Sequence, residues 1–422
     1  MQKVLALVLA LVLVVCVFAG CAAKDTTPAD TTPAQTTDTA DKAEDTTGDA
    51  ADDTAATTDT TAEEGEEIVI GVTGPMTGAA ALNGQYMTNA TTMAADEWNA
   101  KGGVVLNDGK SHKVKLVFED DQATASVALN AVTKQIYTNN VFALIGPHNS
   151  GCVLSVADMC TSENTIMLTG GTSPKISALG NENIFRIRAS DSLTAELAYK
   201  FCKENLGASK IGMLYINNDF GTGALEVVKA AAAEAGLELV AIEGFNPGDT
   251  DMSGQLLKMQ SAGCEAVVCW SDDAEGAIIA RQYHEYDLTG AYALIGSATF
   301  SLSNFYSTTD ETNADGIYSV NDYAYTNTDE QVAAFEEKYF AAFGIHSDLY
   351  SAAYYDAANL LITAIEKAGA LDTDAVRAAL KEIEFDGVMA NDKFDDVNDG
   401  IHQILIIKNN GCTPEVETTV YE

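Results

Sequence analysis

Two short polar turns carry the residues of this 422-residue chain that could do chemistry. The apolar run Ala143-Leu144-Ile145-Gly146 is followed by Pro147-His148-Asn149-Ser150-Gly151 and then by a helical stretch from Val153 to Met159. That spacing puts Ser150 at a helix N-terminus, where backbone N–H groups and a hydroxyl receive an anion such as a carboxylate. Standing alone, the turn reads first as an Asn/Ser cap that serves only its own helix. It has a neighbour, because the strand-like run Thr165 to Thr169 ends in Gly170-Gly171-Thr172-Ser173-Pro174. Two such turns at one sheet edge clamp a small anionic group without supplying a catalyst. No GxGxxG follows a strand, no GxxxxGK[ST], HExxH or GxSxG occurs, and His112, His148, His284, His346 and His402 are scattered. These absences point away from nucleotide cofactors, metal hydrolysis and acyl transfer, and toward binding.

The elements that must hold these turns alternate in type. Short β-branched runs begin at Ile68, Val114, Val141, Thr165, Ile184, Ile211, Leu237, Ala266, Ala293 and Gly316, and amphipathic stretches separate most of them. Such βα alternation predicts parallel sheets covered by helices on both faces. Ten strands in a row fit two doubly wound sheets better than one. After Val320 come helical stretches Glu330 to Phe343, Leu349 to Lys367 and Thr373 to Ile383, then a last strand, Ile401 to Lys408. Helices returning before a final strand predict a chain that passes between two lobes more than once. In open α/β sheets the ligand sits where strands end and helices begin.

Composition limits the partners. The chain carries 23 basic against 62 acidic residues, a formal charge of −39, which excludes a nucleic-acid groove. Met1-Gln2-Lys3 and the apolar run Val4 to Gly20 predict an export signal over residues 1–20. Phe18-Ala19-Gly20-Cys21 is similar to the lipobox of bacterial lipoproteins, with Cys21 as the lipidated residue; the other reading is an uncleaved anchor. Residues 22–67 hold 14 acidic side chains, Lys24 and Lys42, and no aromatic or branched aliphatic one, so they cannot form a core. They predict a tether with a random-coil reach of about 40 Å. Cys152, Cys160, Cys202, Cys264, Cys269 and Cys412 show no metal-ligand spacing. Buried free thiols are the plain expectation, and a long-range pair through Cys202 or Cys412 stays open. No cofactor is implied.

Several segments together resemble one family. Gly74-Pro75-Met76-Thr77-Gly78 with Gly84, Ala94-Ala95-Asp96-Glu97-Trp98-Asn99-Ala100-Lys101-Gly102-Gly103-Val104 and Phe118-Glu119-Asp120-Asp121 are similar to the opening of the leucine/isoleucine/valine-binding proteins of ABC importers. So are Ile145-Gly146-Pro147 with Ser150, Asn218-Asp219-Phe220-Gly221-Thr222-Gly223, and Asp386-Gly387-Val388 followed by Phe394-Asp395 and Gly400. The resemblance runs through residues 68–410 in order. It implies an α/β fold of two doubly wound Rossmann-like lobes joined by three crossings, closing on a ligand as a flytrap. Lobe one is expected at 68–190 plus 320–395, and lobe two at 191–319 plus 396–422. Ser150 and Thr172 match the hydroxyls that hold an amino acid's carboxylate, with Asn149 in the same turn. Gly170 matches a carbonyl that takes its ammonium, and Phe220 an aromatic cover from the second lobe. The implied function is an extracytoplasmic, lipid-anchored, monomeric substrate-binding protein that delivers a small amino acid, branched-chain by default, to an ABC permease.

The chain also departs from that pattern. Near Gly296-Ser297-Ala298-Thr299, where the family places an acid against the ammonium, no acid stands. Asp272, just after a strand, falls at a family pocket position and either supplies that charge or caps the helix that follows. Trp270 beside it is either a pocket wall or core. Asn83 replaces an aromatic wall residue and makes the pocket more polar. Trp98, Phe142 and Tyr354 lie on apolar stripes and read as core. The lost acid keeps a short amide, urea or a small carboxylate open as ligands, and the same fold also serves surface receptor modules.

Overall fold

Strands built from Ile, Val and Leu alternate with helices, and the alternation sorts side chains to opposite faces of two separate sheets. The computed structural model describes residues 63–389, 393–400 and 403–421, all within the compact unit Thr60–Glu422. The expected signal segment, Cys21 and nearly all of the tether lie outside the described residues. In chain order the strands are β1 (Ile68–Gly74), β2 (Val104–Val105), β3 (Ser111–His112), β4 (Val114–Asp120), β5 (Ala143–Ile145), β6 (Ile166–Thr169) and β7 (Ile184–Arg186). They continue with β8 (Lys210–Ile216), β9 (Glu238–Phe245), β10 (Ala266–Trp270), β11 (Ala293–Gly296), β12 (Tyr318–Asn321), β13 (Ile404–Asn410) and β14 (Thr413–Tyr421).

The first sheet has the order β4-β1-β5-β6-β7 and is parallel throughout. Ile68, Ile70, Val72, Ile145 and Leu168 point to one core, with the helices Ala81–Ala100 and Leu349–Ala368, while Leu144 and Met167 point to the other. The second sheet has the order β14-β13-β12-β11-β10-β8-β9. It is parallel from β9 to β12, and β13 and β14 add antiparallel at its edge. Here Ile211, Met213 and Val268 face one core and Leu214, Ile216 and Val267 the other. Each such side chain contributes about 1.5–3 kcal/mol on burial, so both sheets are fixed in register by the period of two along their strands.

The fold is thus two doubly wound α/β lobes. In each, the strand order reverses beside the first strand, at β1/β5 and at β8/β10, which is where a crevice opens at the strand ends. The predicted strands lie within a few residues of those observed. Two features were not anticipated: the β2–β3 hairpin and β14. The lobe boundary expected at 320 falls inside β12, and the chain leaves the second sheet only after Asn321.

The crossings are braced by two buried ion pairs. Arg186, 1% exposed, donates from Nε to Asp399 at 2.9 Å, and Arg188 donates from Nη2 to Asp322 at 3.0 Å. Backbone bonds between Arg186 and Asn398 and between Gly400 and Arg186, both 2.9 Å, lay the last crossing against the first. All six cysteines from Cys152 on are free; five are buried and Cys412 is half-buried. Trp98 donates from its indole to Asn359 (2.9 Å) and packs on the first core. Phe142 packs on the same core and Tyr354 is fully buried in it. Among the described residues no helix is long and apolar enough to cross a membrane.

Candidate functional site

The strand ends of both lobes face one cavity of about 400 Å³. Ser150, Asn149, Gly170, Thr172, Phe220, Asp272, Asn83 and Trp270 all line it, so the structure brings together every ligand residue named from the sequence. The first lobe supplies the two polar turns. Asn149 occupies the N-cap of the helix Ser150–Ser162, yet its side chain makes no capping bond, and its buried Oδ1 has no partner. The helix N-terminus therefore stays available instead of being consumed by its own cap. The Ser150 hydroxyl accepts from the Ser173 N–H at 3.2 Å, which ties the turns together and leaves the Ser150 proton to donate. Thr169 donates to the Pro147 carbonyl (2.7 Å) and accepts from the Gly171 N–H (3.1 Å), fixing the turns to each other from below. Gly170 has no room for a side chain, since a Cβ there would lie 2.8 Å from the Tyr354 hydroxyl.

Thr172 differs from expectation. Its hydroxyl donates to Asp191 Oδ2 at 3.1 Å, so its proton is already committed and the oxygen is left as an acceptor. The reason is Asp191, a residue not singled out from the sequence. It is 3% exposed, opens the first helix of the second lobe, and also accepts from the Trp270 indole at 3.1 Å. Burial pushes its carboxyl up to about 6, against the pull of Trp270, Arg186 and Thr172. Trp270, 1% exposed, is thereby both a wall of the cavity and the anchor of an acid beside it.

Asp272 holds the N-cap position of the helix Asp273–Glu285 without capping it. Its carboxylate accepts from Asn218 at 2.9 Å and faces the cavity. Burial, reinforced by the charges of Asp273 and Glu275, pushes it up to about 7. Asn83 reaches across from the first lobe and donates to Asp273 Oδ2 at 2.8 Å. Burial also raises the Asp273 carboxyl. Phe220, half-buried, packs on the cores of the second lobe and lines the cavity.

The sequence reading missed a further group on the floor. Arg188 sits over the Tyr350 ring at 5.6 Å and remains charged: burial opposes the charge, and Asp322, Tyr350 and Asp191 together hold the guanidinium above its ordinary value. His148 stands edge-on to Tyr350 at 4.2 Å, and burial, with Arg188 near, lowers it to about 3, so it is neutral. The signal for these residues was their distance of a few positions from strand ends, but nothing local said which strand ends meet.

The buried polar atoms without a partner include Asn83 Oδ1, His148 Nδ1, Asn149 Oδ1, Arg188 Nε and Ser297 Oγ. All five belong to residues lining this cavity. Unsatisfied buried groups cost about 1–3 kcal/mol each, and their gathering here marks a surface that a polar ligand completes. Among the described residues no group of acids, histidines and cysteines could hold a metal ion.

Comparison with known proteins agrees with this geometry. The model of the family described as periplasmic binding protein matches residues 67–411. The Leu/Ile/Val-binding protein BraC3 of Rhizobium johnstonii is 28% identical over 318 residues, covering 75% of this chain and 84% of that protein. Among solved structures, a leucine-binding protein LivK from Thermotoga maritima superposes with a TM-score of 0.77 at 23% identity, covering 84% of this chain and 99% of that one. The substrate-binding protein LivJ of a branched-chain amino acid transporter from Streptococcus pneumoniae, in complex with isoleucine, gives 0.75 at 24%, covering 84% and 98%. The structural likenesses bear on the fold.

Proposed function

This chain belongs to the periplasmic binding protein family, and we propose that within it the protein captures a small amino acid between its two lobes and hands it to an ABC permease. The observation that carries the reading is the convergence of the Ser150 and Thr172 turns, the Gly170 carbonyl and the acids Asp191 and Asp272 on one cavity lined by buried, unpartnered polar atoms. Ser150 and the free N–H groups of its helix take the carboxylate. The ammonium goes to acceptors: the Gly170 carbonyl, the Thr172 oxygen and a carboxylate. With no acid at residues 297–299, Asp191 or Asp272 supplies that carboxylate from another part of the same cavity wall. The names of the relatives make leucine, isoleucine and valine the first ligands to try.

The lobes divide near 190, 320 and 395, and each is one sheet with its helices. Cys21 carries a lipid that holds the monomer outside the cytoplasmic membrane on the tether of residues 22–67. Replacement Cys21→Ser is expected to move the protein from the membrane fraction to the soluble one. The test of binding is a thermal-shift screen of the purified protein against the twenty amino acids, short aliphatic amides, urea and small carboxylates. A ligand at a hundred times its Kd stabilises by about 2.7 kcal/mol. A shift with amino acids supports the reading; a shift only with amides or simple carboxylates replaces it, and no shift at all removes it.

A further inference from the structure

The wall of the cavity made by Asp272, Asp273, Ser297 and Asn83 is rich in acceptors and short of donors. Asn83 is 3% exposed; its amide N–H₂ is spent on Asp273, which leaves its Oδ1 buried without a donor. Ser297, 5% exposed, likewise has an unpartnered Oγ. Asp272 receives one bond, from Asn218. Among the described residues no lysine or arginine is paired with Asp272 or Asp273. Arg188, the cation that lines the cavity, is held by Asp322. Two neighbouring carboxylates thus stand in a cleft with no counter-charge.

An aliphatic side chain placed against this wall would leave the two carboxylates desolvated without a counter-charge and the Asn83 oxygen without a donor, which is costly. A cationic group with several N–H donors satisfies all three. We propose that this wall is the side-chain subsite and that it selects a basic amino acid, one bearing an amine or guanidine; this rests on the amino-acid reading above. The α-carboxylate and α-ammonium keep their places at Ser150 and Gly170, and the second positive charge goes to Asp272 and Asp273. Burial raises both carboxyls, with the charges of Asp273 and Glu275 adding at Asp272 and that of Glu275 at Asp273, which agrees with a site that lacks its cation.

The test is isothermal titration of the purified protein at pH 8 with L-arginine, L-lysine and L-leucine, repeated on Asp273→Asn and Asp272→Asn. Arginine or lysine is expected to bind at least about tenfold tighter than leucine. In at least one variant the ratio of the two affinities is expected to fall by about tenfold. Because the ratio is taken on one preparation, a partly folded variant changes the stoichiometry and not the ratio. Leucine binding as tightly as the basic ligands, or tighter, overturns the inference and leaves the amino-acid reading standing. Binding of no amino acid removes that reading and the inference with it. A basic preference unmoved in both variants overturns the assignment to this wall.

Discussion

Replacing Arg186 by methionine is expected to loosen the ligand turn and the last crossing at once. The guanidinium is 1% exposed and donates to Asp399 at 2.9 Å, to Ser173 O at 3.1 Å, to Thr172 O and to Ser177 Oγ. Methionine fills much of the same volume and supplies none of these bonds. Leaving a buried partner uncompensated costs about 3–5 kcal/mol, and the Thr172 and Ser173 carbonyls, which keep the backbone N–H groups of Asp191 and Ile176, each lose a second donor, which adds about 1 kcal/mol. A loss of about 4–6 kcal/mol is therefore expected, against a typical total of about 5–15. The pair itself is worth much less than its removal, since burial holds Asp399 above the usual carboxylate range even with Arg186 beside it. The double variant Arg186→Met, Asp399→Leu is accordingly expected to recover at least half of the loss. Urea unfolding followed by far-UV circular dichroism gives both values. A loss below about 1 kcal/mol for Arg186→Met, or a double variant no more stable than the single one, would refute this account of how the turn is held.

Three further outcomes follow from the cavity. Asp191 and Asp272 keep protons to about pH 6 and 7 in the folded chain but ionise near pH 4 when unfolded. The native state then binds more protons between pH 4 and 7, so the ligand-free Tm is expected to fall as pH rises through that window. Asp272→Asn should flatten the fall, and an unchanged slope counts against a buried Asp272. Gly223 lies against the other lobe, where a Cβ would sit 2.1 Å from Ser173 Oγ. Gly223→Val is expected to hold the lobes apart and weaken ligand binding by about tenfold or more, with the ligand-free Tm little changed; unaltered affinity contradicts this contact. Trp270 lines the cavity and Trp98 does not, so a ligand-induced change in tryptophan fluorescence is expected to vanish in Trp270→Phe and persist in Trp98→Phe.

Much of this protein follows from short-range pattern. The period of two in β1, β8 and β10, and the amphipathic helices between them, are properties of adjacent residues, which is why the strands and the two-sheet arrangement were legible from sequence. The two polar turns were legible for the same reason: glycine, serine and threonine at a strand end leave backbone N–H groups open whatever the rest of the chain does. The expectation of a tether over residues 22–67 rests on composition alone, because a segment without large apolar side chains has nothing to bury.

Tertiary structure decided the rest. Strand β14 reads Thr-Pro-Glu-Val-Glu-Thr-Thr-Val-Tyr, a segment with Pro414 and two glutamates not anticipated as a strand, and it is one because β13 offers it an edge. Whether Asp272 caps its helix or faces the cavity turned on Asn218, 54 positions away, which accepts the Gly221 N–H of the separate helix Asp219–Glu234 and donates to the Asp272 carboxylate. The Thr172 proton goes to Asp191 only because the first crossing brings the start of the second lobe beside the turn. Arg186 with Asp399, Arg188 with Asp322 and Asn83 with Asp273 join residues separated by 213, 134 and 190 positions. Local propensity carries no information about such pairs; the order of strands and the three passages between lobes bring them together, and burial then makes each one matter.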